Sequence, residues 1–551
     1  MKVVLCAINS KFVHSSLAVW YLAAAMEKDS KNNQCVVVEG TINEDEELLY
    51  KRISESSPKM VGLSTYIWNK KTVFSLAEKL KRNLGCKIVL GGPEVSYNAK
   101  EILEQCDFVD YIISGEGEES LVKLCNGEDV DTIEGICYKK SGDVFVKPPF
   151  VSDKEPPNPY TAKYFESLNG RIAYVETSRG CPFRCAFCLS GRCGGVRFFD
   201  VEQAKKNIFL LANSGTQTVK FIDRTFNADR KRAREIFAFI ISEKAKGKIP
   251  NGVCFHFEIE GELLDEDTIK LLSTAPVGLI QFEIGLQSFN GDTLNAINRK
   301  TNLKRLCQNI KKVIELKNIH THIDLIVGLP YEGYESFKQS FNRAYIMKPH
   351  MLQLGFLKLL HGADLRENDG YEWDFIDTPP YEIKSTPWIS REEVDFLHSF
   401  EDVFEKMYNS SRFGQTCEYL EGVFDSPFDM YASFAKYVDN TPHENSLDSF
   451  TKLIFDYFSI YDGVDGKILR DKLAIDRLAT NKMGALPEFL KVKCLKMKQY
   501  LNELEKNEQT RSRKGIKRAA TVLLSENKLA YVDYDQADYL TNRFLVKLTE
   551  I

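Results

Sequence analysis

Residues 172–188, IAYVETSRGCPFRCAFC, join a short apolar run to three closely spaced cysteines. The run Ile172–Glu176 predicts a buried β-strand. Cys181, Cys185 and Cys188 follow in C-x3-C-x2-C spacing, on the loop that leaves the carboxyl end of this strand. Three thiolates on one short loop can hold three irons of a cubane cluster and leave the fourth iron open. The stretch therefore predicts a metal centre at a strand end.

Zinc is the alternative for these thiols. Structural zinc usually takes four Cys or His ligands in two pairs, and no second pair stands nearby in the sequence. Cys193 could complete a set of four, so a zinc site stays open at this point. The first residues, Met1–Ile8, are expected to form a short strand and not an export signal. Most of the 14 cysteines are therefore expected as reduced thiols, and a disulfide scaffold is not expected.

Around the cysteine loop, short apolar runs alternate with amphipathic stretches from Arg171 to about residue 366. Six strand–helix units predict an incomplete (β/α)6 barrel, with its chemistry at the carboxyl ends of the strands. The predicted strands are Ile172–Glu176, Val219–Asp223, Val253–Glu258, Leu279–Leu286, His320–Gly328 and Met351–Phe356.

The N-terminal residues 1–146 show a similar alternation and predict a doubly wound parallel sheet, an α/β fold. Ligands of such sheets bind beyond the carboxyl ends of the strands. Three clusters fall at such ends, and their glycines would let the backbone approach a bulky ligand. They are Ser64-Thr65-Tyr66, Gly91-Gly92-Pro93 with Glu94, and Gly115-Glu116-Gly117-Glu118. Together they indicate a large flat or phosphate-bearing ligand.

The remaining boundaries follow from composition. Residues 147–170 are a proline-rich linker, residues 171–366 the barrel, and residues 367–551 a mainly helical domain.

Lys and Arg (73) nearly balance Asp and Glu (78), which argues against a nucleic-acid partner along the whole chain. The longest apolar run, Leu17–Met26, is about half of a membrane span. We therefore expect no membrane contact and a cytoplasmic location.

The cysteine triplet, with Phe187 before its last cysteine, resembles that of the radical S-adenosylmethionine (SAM) superfamily. The resemblance implies a [4Fe–4S] cluster whose open iron is chelated by SAM, and a 5′-deoxyadenosyl radical released by one electron. An external electron donor such as flavodoxin or ferredoxin is implied as well. The substrate is left open as a small molecule, RNA or a peptide.

The resemblance extends to other positions. Phe187 is expected near the adenine, and Gly328 to Pro330 resemble a fifth-strand turn beside it. Residues 283–288, EIGLQS, look like the fourth-strand motif, with Glu283 or Ser288 placed for the ribose or methionine moiety and Gln287 between them. Arg299 is expected to pair with the carboxylate of SAM. Asp223 to Phe226 resemble the second-strand motif of the cobalamin-using subgroup.

A doubly wound domain before such a barrel resembles the layout of that cobalamin-binding subgroup, over roughly residues 1–365. The chain departs from the better-known cobalamin signature because it has no Asp-x-His-x-x-Gly after the first strand. The lower cobalt ligand is therefore open between the loop Thr65–Trp68 and His14. An ordinary hydrogen-bonded histidine near a helix start is an equal reading of His14.

With both cofactors, the resemblance favours methyl transfer from methylcobalamin to an unactivated carbon through a 5′-deoxyadenosyl radical. Ring closure or rearrangement is an alternative, as is modification of tRNA through a basic C-terminal stretch. A non-catalytic iron–sulfur carrier or redox sensor is an alternative of another class. The basic positions are Lys491, Lys493, Lys496, Lys498, Arg511, Arg513, Lys514, Lys517 and Arg518. Interleaved Glu503, Glu505 and Glu508 favour a solvated helix there instead.

Overall fold

The computed structural model describes residues 1–480, 486–492, 497, 499 and 520–550. The chain divides into two compact units. The first unit comprises Met1–Phe282, Asn295–Thr301 and Phe356–Ile383, and the second comprises Glu283–Leu294, Asn302–Gly355 and the chain from Lys384 onward. Of the basic and acidic C-terminal positions considered for RNA, only Lys491 lies within the described residues.

A seven-stranded sheet in the order β2-β1-β3-β4-β5-β6-β7 opens the first unit. Its first five strands are parallel, as predicted for a doubly wound fold. Strand β1 is buried at seven of its eight residues, as is typical of a central parallel strand. Two antiparallel strands, β6 and β7, extend the sheet beyond the predicted five. The strands are β1 (Lys2–Asn9), β2 (Gln34–Thr41), β3 (Met60–Ser64), β4 (Lys87–Gly91), β5 (Tyr111–Ile113), β6 (Ile136–Lys140) and β7 (Asp143–Phe145).

Helices connect the parallel strands. Helix α3 ends at Gly85, which adopts the left-handed conformation that glycine allows at a helix C-terminus. The helices up to the cysteine loop are α1 (Leu17–Asp29), α2 (Glu46–Ser54), α3 (Lys70–Leu84), α4 (Pro93–Ser96), α5 (Ala99–Gln105), α6 (Glu118–Cys125) and α7 (Ala162–Leu168).

The strands predicted for the barrel are all present. In the first unit β11 pairs in parallel with both β8 and β12. The second unit contains β14 and most of β13 and β15. Strands β9 and β10 form a short antiparallel pair beside the cysteine loop. The strands are β8 (Ala173–Val175), β9 (Ser178–Arg179), β10 (Arg197–Phe198), β11 (Thr218–Phe221), β12 (Cys254–Ile259), β13 (Ile280–Gln287), β14 (Ile319–Val327) and β15 (Met351–Phe356). The helices are α8 (Val201–Ala212), α9 (Arg230–Ala245), α10 (Glu266–Leu272), α11 (Gly291–Ala296), α12 (Leu303–Glu315) and α13 (Tyr334–Tyr345).

The C-terminal region of the second unit is mainly helical, as predicted, with a three-stranded antiparallel sheet at its end. Ser390 and Glu393 form a capping box at the start of α14. Its elements, with two short preceding strands, are β16 (Asp374–Phe375), β17 (Ile383–Ser385), α14 (Arg391–Phe404), α15 (Gly414–Glu421), α16 (Pro427–Asp439), α17 (Leu447–Phe458), α18 (Gly466–Thr480), β18 (Ala520–Leu523), β19 (Lys528–Ala537) and β20 (Phe544–Glu550). A π-helical turn, Glu405–Asn409, follows α14. Among the described residues, no helix is both long and apolar enough to span a bilayer.

Candidate active site

A cavity of about 970 Å³ lies within the first unit at the carboxyl ends of β1, β3, β4 and β5. The strand order 2-1-3-4-5 changes direction between β1 and β3, and ligands of doubly wound sheets bind in the crevice at such a switch point. Asn9 and Ser10 line the cavity after β1, and Ser64 and Tyr66 line it after β3. The topology therefore places the cavity where a ligand of this sheet is expected.

Most of the residues predicted at these strand ends line the cavity. They are Ser64, Tyr66, Gly91, Gly92, Gly115, Glu116, Gly117 and Glu118. Thr65, Pro93 and Glu94 are absent from its wall. Thr65 is fully buried, and its backbone N–H donates to the carbonyl oxygen of Gly91 at 2.7 Å, so it packs behind the wall. The assignment of all eleven residues to a ligand stays a prediction.

Two glycines of the wall have no room for a side chain. A Cβ on Gly92 (φ +108°) would lie 2.5 Å from the carbonyl oxygen of Thr65. A Cβ on Gly115 (φ +88°) would lie 2.2 Å from the carbonyl oxygen of Phe150. The buried Ser64 Oγ, by contrast, has no hydrogen-bond partner in the described structure. The two glycines therefore let the backbones of Thr65 and Phe150 close the wall of the cavity. The unpaired Ser64 hydroxyl in this wall fits the rim of a corrin ring, whose amide side chains offer donors and acceptors.

Aromatic side chains and one histidine complete this side of the cavity. Tyr66 and Trp68 stack with ring centroids 4.4 Å apart and an interplanar angle of 5°. His14 Nδ1 lies 2.8 Å from the Tyr174 hydroxyl, and burial lowers the pKa of its imidazole. The two sites considered for the lower cobalt face, His14 and the loop Thr65–Trp68, thus both reach the cavity. His14 already has a protein partner, which supports its reading as an ordinary hydrogen-bonded histidine.

Residues of the proline-rich linker form one wall of the cavity, a contact that the sequence did not predict. Pro149, Phe150 and Val151 line the cavity. The Phe150 backbone N–H donates to the Ser114 carbonyl at 2.9 Å, and the Glu116 N–H donates to the Phe150 carbonyl at 2.8 Å. The linker is thereby bound to the carboxyl end of β5. In the sequence, the apolar residues Phe150 and Val151 directly after Pro148 and Pro149 could have indicated that this part of the linker packs against the sheet.

The three cysteines lie half-buried on one loop. The backbone N–H of Ser190 donates to Cys188 Sγ at 3.4 Å, and Cys181 Sγ lies 3.3 Å from Thr225 Oγ1. Burial raises the pKa of the Cys185 thiol, Arg299 opposes this, and the other two cysteines reinforce it. Among the described residues, no three His, Cys, Asp or Glu side chains lie so that together they could hold a single metal ion, and the binding of separate irons of a cluster by the three cysteines stays a prediction. The Cys193 side chain lies outside the description, so its part in a fourth ligand stays open.

Arg299 and Glu260 form a buried ion pair behind Cys185. Arg299 Nη2 lies 2.8 Å from Glu260 Oε2, and its Nη1 lies 3.8 Å from Cys185 Sγ. Burial raises the pKa of Glu260, and the guanidinium opposes that shift. The guanidinium predicted to bind the carboxylate of SAM is thus already paired with a carboxylate of the protein. Glu260, at the end of β12, was missed by the sequence reading because no spacing relates it to the cysteines.

Asp223, from the predicted second-strand motif, fastens the chain that enters the cysteine loop. It accepts hydrogen bonds from the backbone N–H of Thr177 (3.0 Å), the Thr177 hydroxyl (2.7 Å) and the Ser178 hydroxyl (2.6 Å). It is almost fully buried, and burial raises its pKa. Its carboxylate therefore holds in place the residues that lead into the cysteine loop.

The second unit holds the other predicted SAM residues. Ser288 is fully buried, and its hydroxyl donates to Glu332 Oε1 at 2.8 Å. Gln287 has a positive φ of +72° and a buried Oε1 without a described hydrogen-bond partner. Glu283 is half-buried on β13, while Gly328 (φ +85°) and Pro330 are buried after β14. The Ser288 hydroxyl is thus held inside the protein, and the role of all five residues toward SAM stays a prediction.

A charged cluster in the cavity wall was not foreseen. We call Arg179 with Glu116, Glu118 and Glu176 the Arg179 node. Arg179 Nη1 lies 3.0 Å from Glu116, Nη2 lies 2.6 Å from Glu118, and Nε lies 3.0 Å from Glu176. The guanidinium also lies over the Tyr21 ring at 4.9 Å, and Glu116 is shared with Arg197. The carboxylates of Glu116 and Glu118, predicted to bind a cofactor, are therefore engaged by arginine.

Comparison with known proteins identifies three regions. Residues 3–125 match the B12 binding domain, residues 175–344 match the Radical SAM superfamily, and residues 369–539 match a family described as a protein of unknown function (DUF4080).

Two relatives and one solved structure stand out among the similar proteins. The chain is 26% identical over 302 residues to the 2-(S-pantetheinyl)-carbapenam-3-carboxylate methyltransferase of Streptantibioticus cattleyicolor, covering 51% of the chain and 44% of that protein. It is 26% identical over 345 residues to the cobalamin-dependent radical SAM methyltransferase TokK of Streptomyces tokunonensis, covering 59% of the chain and 50% of that protein. The cobalamin-dependent SAM radical enzyme OxsB superposes with a TM-score of 0.61 at 14% identity, covering 92% of the chain and 80% of OxsB. The chain thus spans about half the length of the two curated relatives.

Proposed function

Because the chain belongs to the cobalamin-binding branch of the radical SAM superfamily, we propose that it is a methyltransferase that acts on an unactivated carbon. The cofactors predicted from the sequence, cobalamin, a [4Fe–4S] cluster and SAM, are those of its two matched domains. The observation that carries the proposal is the presence of both a glycine-walled cavity and a loop of three thiols within one compact unit.

The residues of the first unit would divide the work as follows. Gly91, Gly92 and Gly115 would form the wall along the corrin, and Ser64 Oγ would hydrogen-bond its rim. Gly92 and Gly115 allow this wall to form because they let the backbones of Thr65 and Phe150 pack closely against it. Cys181, Cys185 and Cys188 would hold three irons, with Arg299 close to Cys185 to balance thiolate charge. When bound, the cluster with SAM would supply the 5′-deoxyadenosyl radical, and methylcobalamin would supply the methyl group.

Several residues would prepare the site without touching the reacting atoms. Asp223 holds Thr177 and Ser178, the residues that lead into the cysteine loop. The linker residue Phe150 closes the cavity beside β5, which helps to exclude water. A low-potential electron source such as cytoplasmic flavodoxin or ferredoxin is the expected donor.

The test is anaerobic purification, incubation with hydroxocobalamin, and iron analysis with ultraviolet–visible spectroscopy. Wild type is expected to hold both corrinoid and cluster and to form 5′-deoxyadenosine and S-adenosylhomocysteine with SAM and dithionite. Cys185→Ala is expected to lose the cluster and keep corrinoid absorption. A protein that cycles its cluster, binds no corrinoid and makes no 5′-deoxyadenosine would instead support the non-catalytic iron–sulfur carrier.

A further inference from the structure

The Arg179 node joins two parts of the chain that carry different proposed tasks. Glu116 and Glu118 lie in the loop after β5 and at the start of α6, in the wall of the cavity. Arg179 lies on β9, two residues before Cys181. One buried guanidinium, about 14% exposed, therefore ties the cavity wall directly to the start of the cysteine loop.

All three nitrogens of Arg179 are engaged at this point. Nε bonds to Glu176 nearby in the sequence, while Nη1 and Nη2 bond to Glu116 and Glu118, which lie about 60 residues before it. The Tyr21 ring covers one face of the guanidinium. Arg197 holds the other oxygen of Glu116 and bonds to the Ser152 carbonyl of the linker. A side chain held by so many charged partners has one well-defined position, which it transmits to the backbone of Gly180 and Cys181.

The geometry points to Arg179 as a positioning residue that couples corrinoid binding in the cavity to cluster binding on the cysteine loop. A ligand in the cavity would contact the wall that carries Glu116 and Glu118, and thiolate ligation at Cys181 would fix the loop that begins at Arg179. Because Arg179 holds these two parts in one arrangement, each binding event would favour the arrangement that the other needs, and the two bindings are expected to strengthen each other. The inference rests on the proposed cofactor pair.

The experiment measures this coupling as a ratio of dissociation constants. Hydroxocobalamin binding is followed by equilibrium dialysis for the full chain, with and without anaerobic reconstitution of the cluster. Wild type is expected to bind hydroxocobalamin about 10-fold more tightly when the cluster is present, within the usual range for coupled sites. In Arg179→Gln the ratio is expected to fall to about one, and Arg179→Lys should recover part of it because a lysine keeps the charge without the fork.

Two further variants guard against a purely structural effect. Arg234→Gln removes an arginine of the same unit that pairs with Asp265 at 2.7 Å, away from the cavity, and should leave the ratio at its wild-type value. Glu118→Gln keeps the size of the side chain and weakens one arm of the node, so it should lower the ratio even if Arg179→Gln fails to fold.

The outcomes separate the two proposals. A wild-type ratio of one, or a wild-type ratio retained in Arg179→Gln or in Glu118→Gln, would overturn the coupling while leaving corrinoid binding in place. Failure of wild type to bind hydroxocobalamin in either state would overturn the proposed function and this inference with it.

Discussion

Gly115→Ala tests the cavity wall through a single methyl group. The new Cβ would lie 2.2 Å from the carbonyl oxygen and 2.5 Å from the nitrogen of Phe150, both of them backbone atoms. The Phe150 segment would have to move, which breaks its two hydrogen bonds to Ser114 and Glu116. Their loss is worth about 2 kcal/mol. The positive φ of +88° adds about 1–2 kcal/mol for alanine.

The matched control is Gly127→Ala. Gly127 has a similar φ of +78°, but a Cβ there would meet no atom within 4 Å. The control should lose only the conformational part, about 1–2 kcal/mol, so Gly115→Ala should be less stable by about a further 2 kcal/mol. Urea unfolding followed by circular dichroism measures both free energies, and dialysis with hydroxocobalamin should show weaker binding only for Gly115→Ala. Equal destabilisation by the two substitutions, with equal corrinoid affinity, would refute the reasoning.

Three further substitutions address single groups. Ser64→Ala removes the unpaired hydroxyl, so corrinoid affinity measured by dialysis should fall by about 5-fold without loss of thermal stability. Burial raises the pKa of Glu332 to about 7, so between about pH 4.5 and 7 the folded state holds a proton that the unfolded state releases. The free energy of unfolding should therefore fall by about 3 kcal/mol as the pH rises through this range. Urea unfolding at several pH values should show this fall in wild type and a flatter dependence in Glu332→Gln. Arg299→Gln leaves the Glu260 carboxylate buried without its ion-pair partner, and should lose about 3 kcal/mol of stability. Arg234→Gln breaks a pair that is only partly buried, and should lose less than about 1 kcal/mol.

The parallel strands were predictable because buried parallel strands are continuous apolar runs. Met60–Ser64 and Met351–Phe356 match the structure residue for residue. The antiparallel pair β6 and β7 was missed, although Ser141-Gly142 between them carried a hairpin signal. Both residues have positive φ, as a tight two-residue hairpin turn requires.

Only part of the candidate site could be predicted from the sequence. The cysteine spacing and the glycine clusters are local patterns, so the sequence shows them directly. Ion pairs between distant segments leave no local pattern. The pairing of Arg299 with Glu260, and that of Arg179 with Glu116, depends on which strand ends the fold brings together.

The motif Gly115-Glu116-Gly117-Glu118 shows how these two kinds of information differ. As a sequence it reads as one ligand-binding loop, and all four residues do line the cavity. The structure gives them separate tasks: Gly115 lets the linker backbone approach β5, while the two carboxylates bind the arginine that leads to the cysteines. An acid in a cavity wall is therefore evidence of a ligand contact only when no arginine already holds it. By that criterion Ser64, whose hydroxyl is unpaired, is a stronger candidate for contacting the corrin than either glutamate.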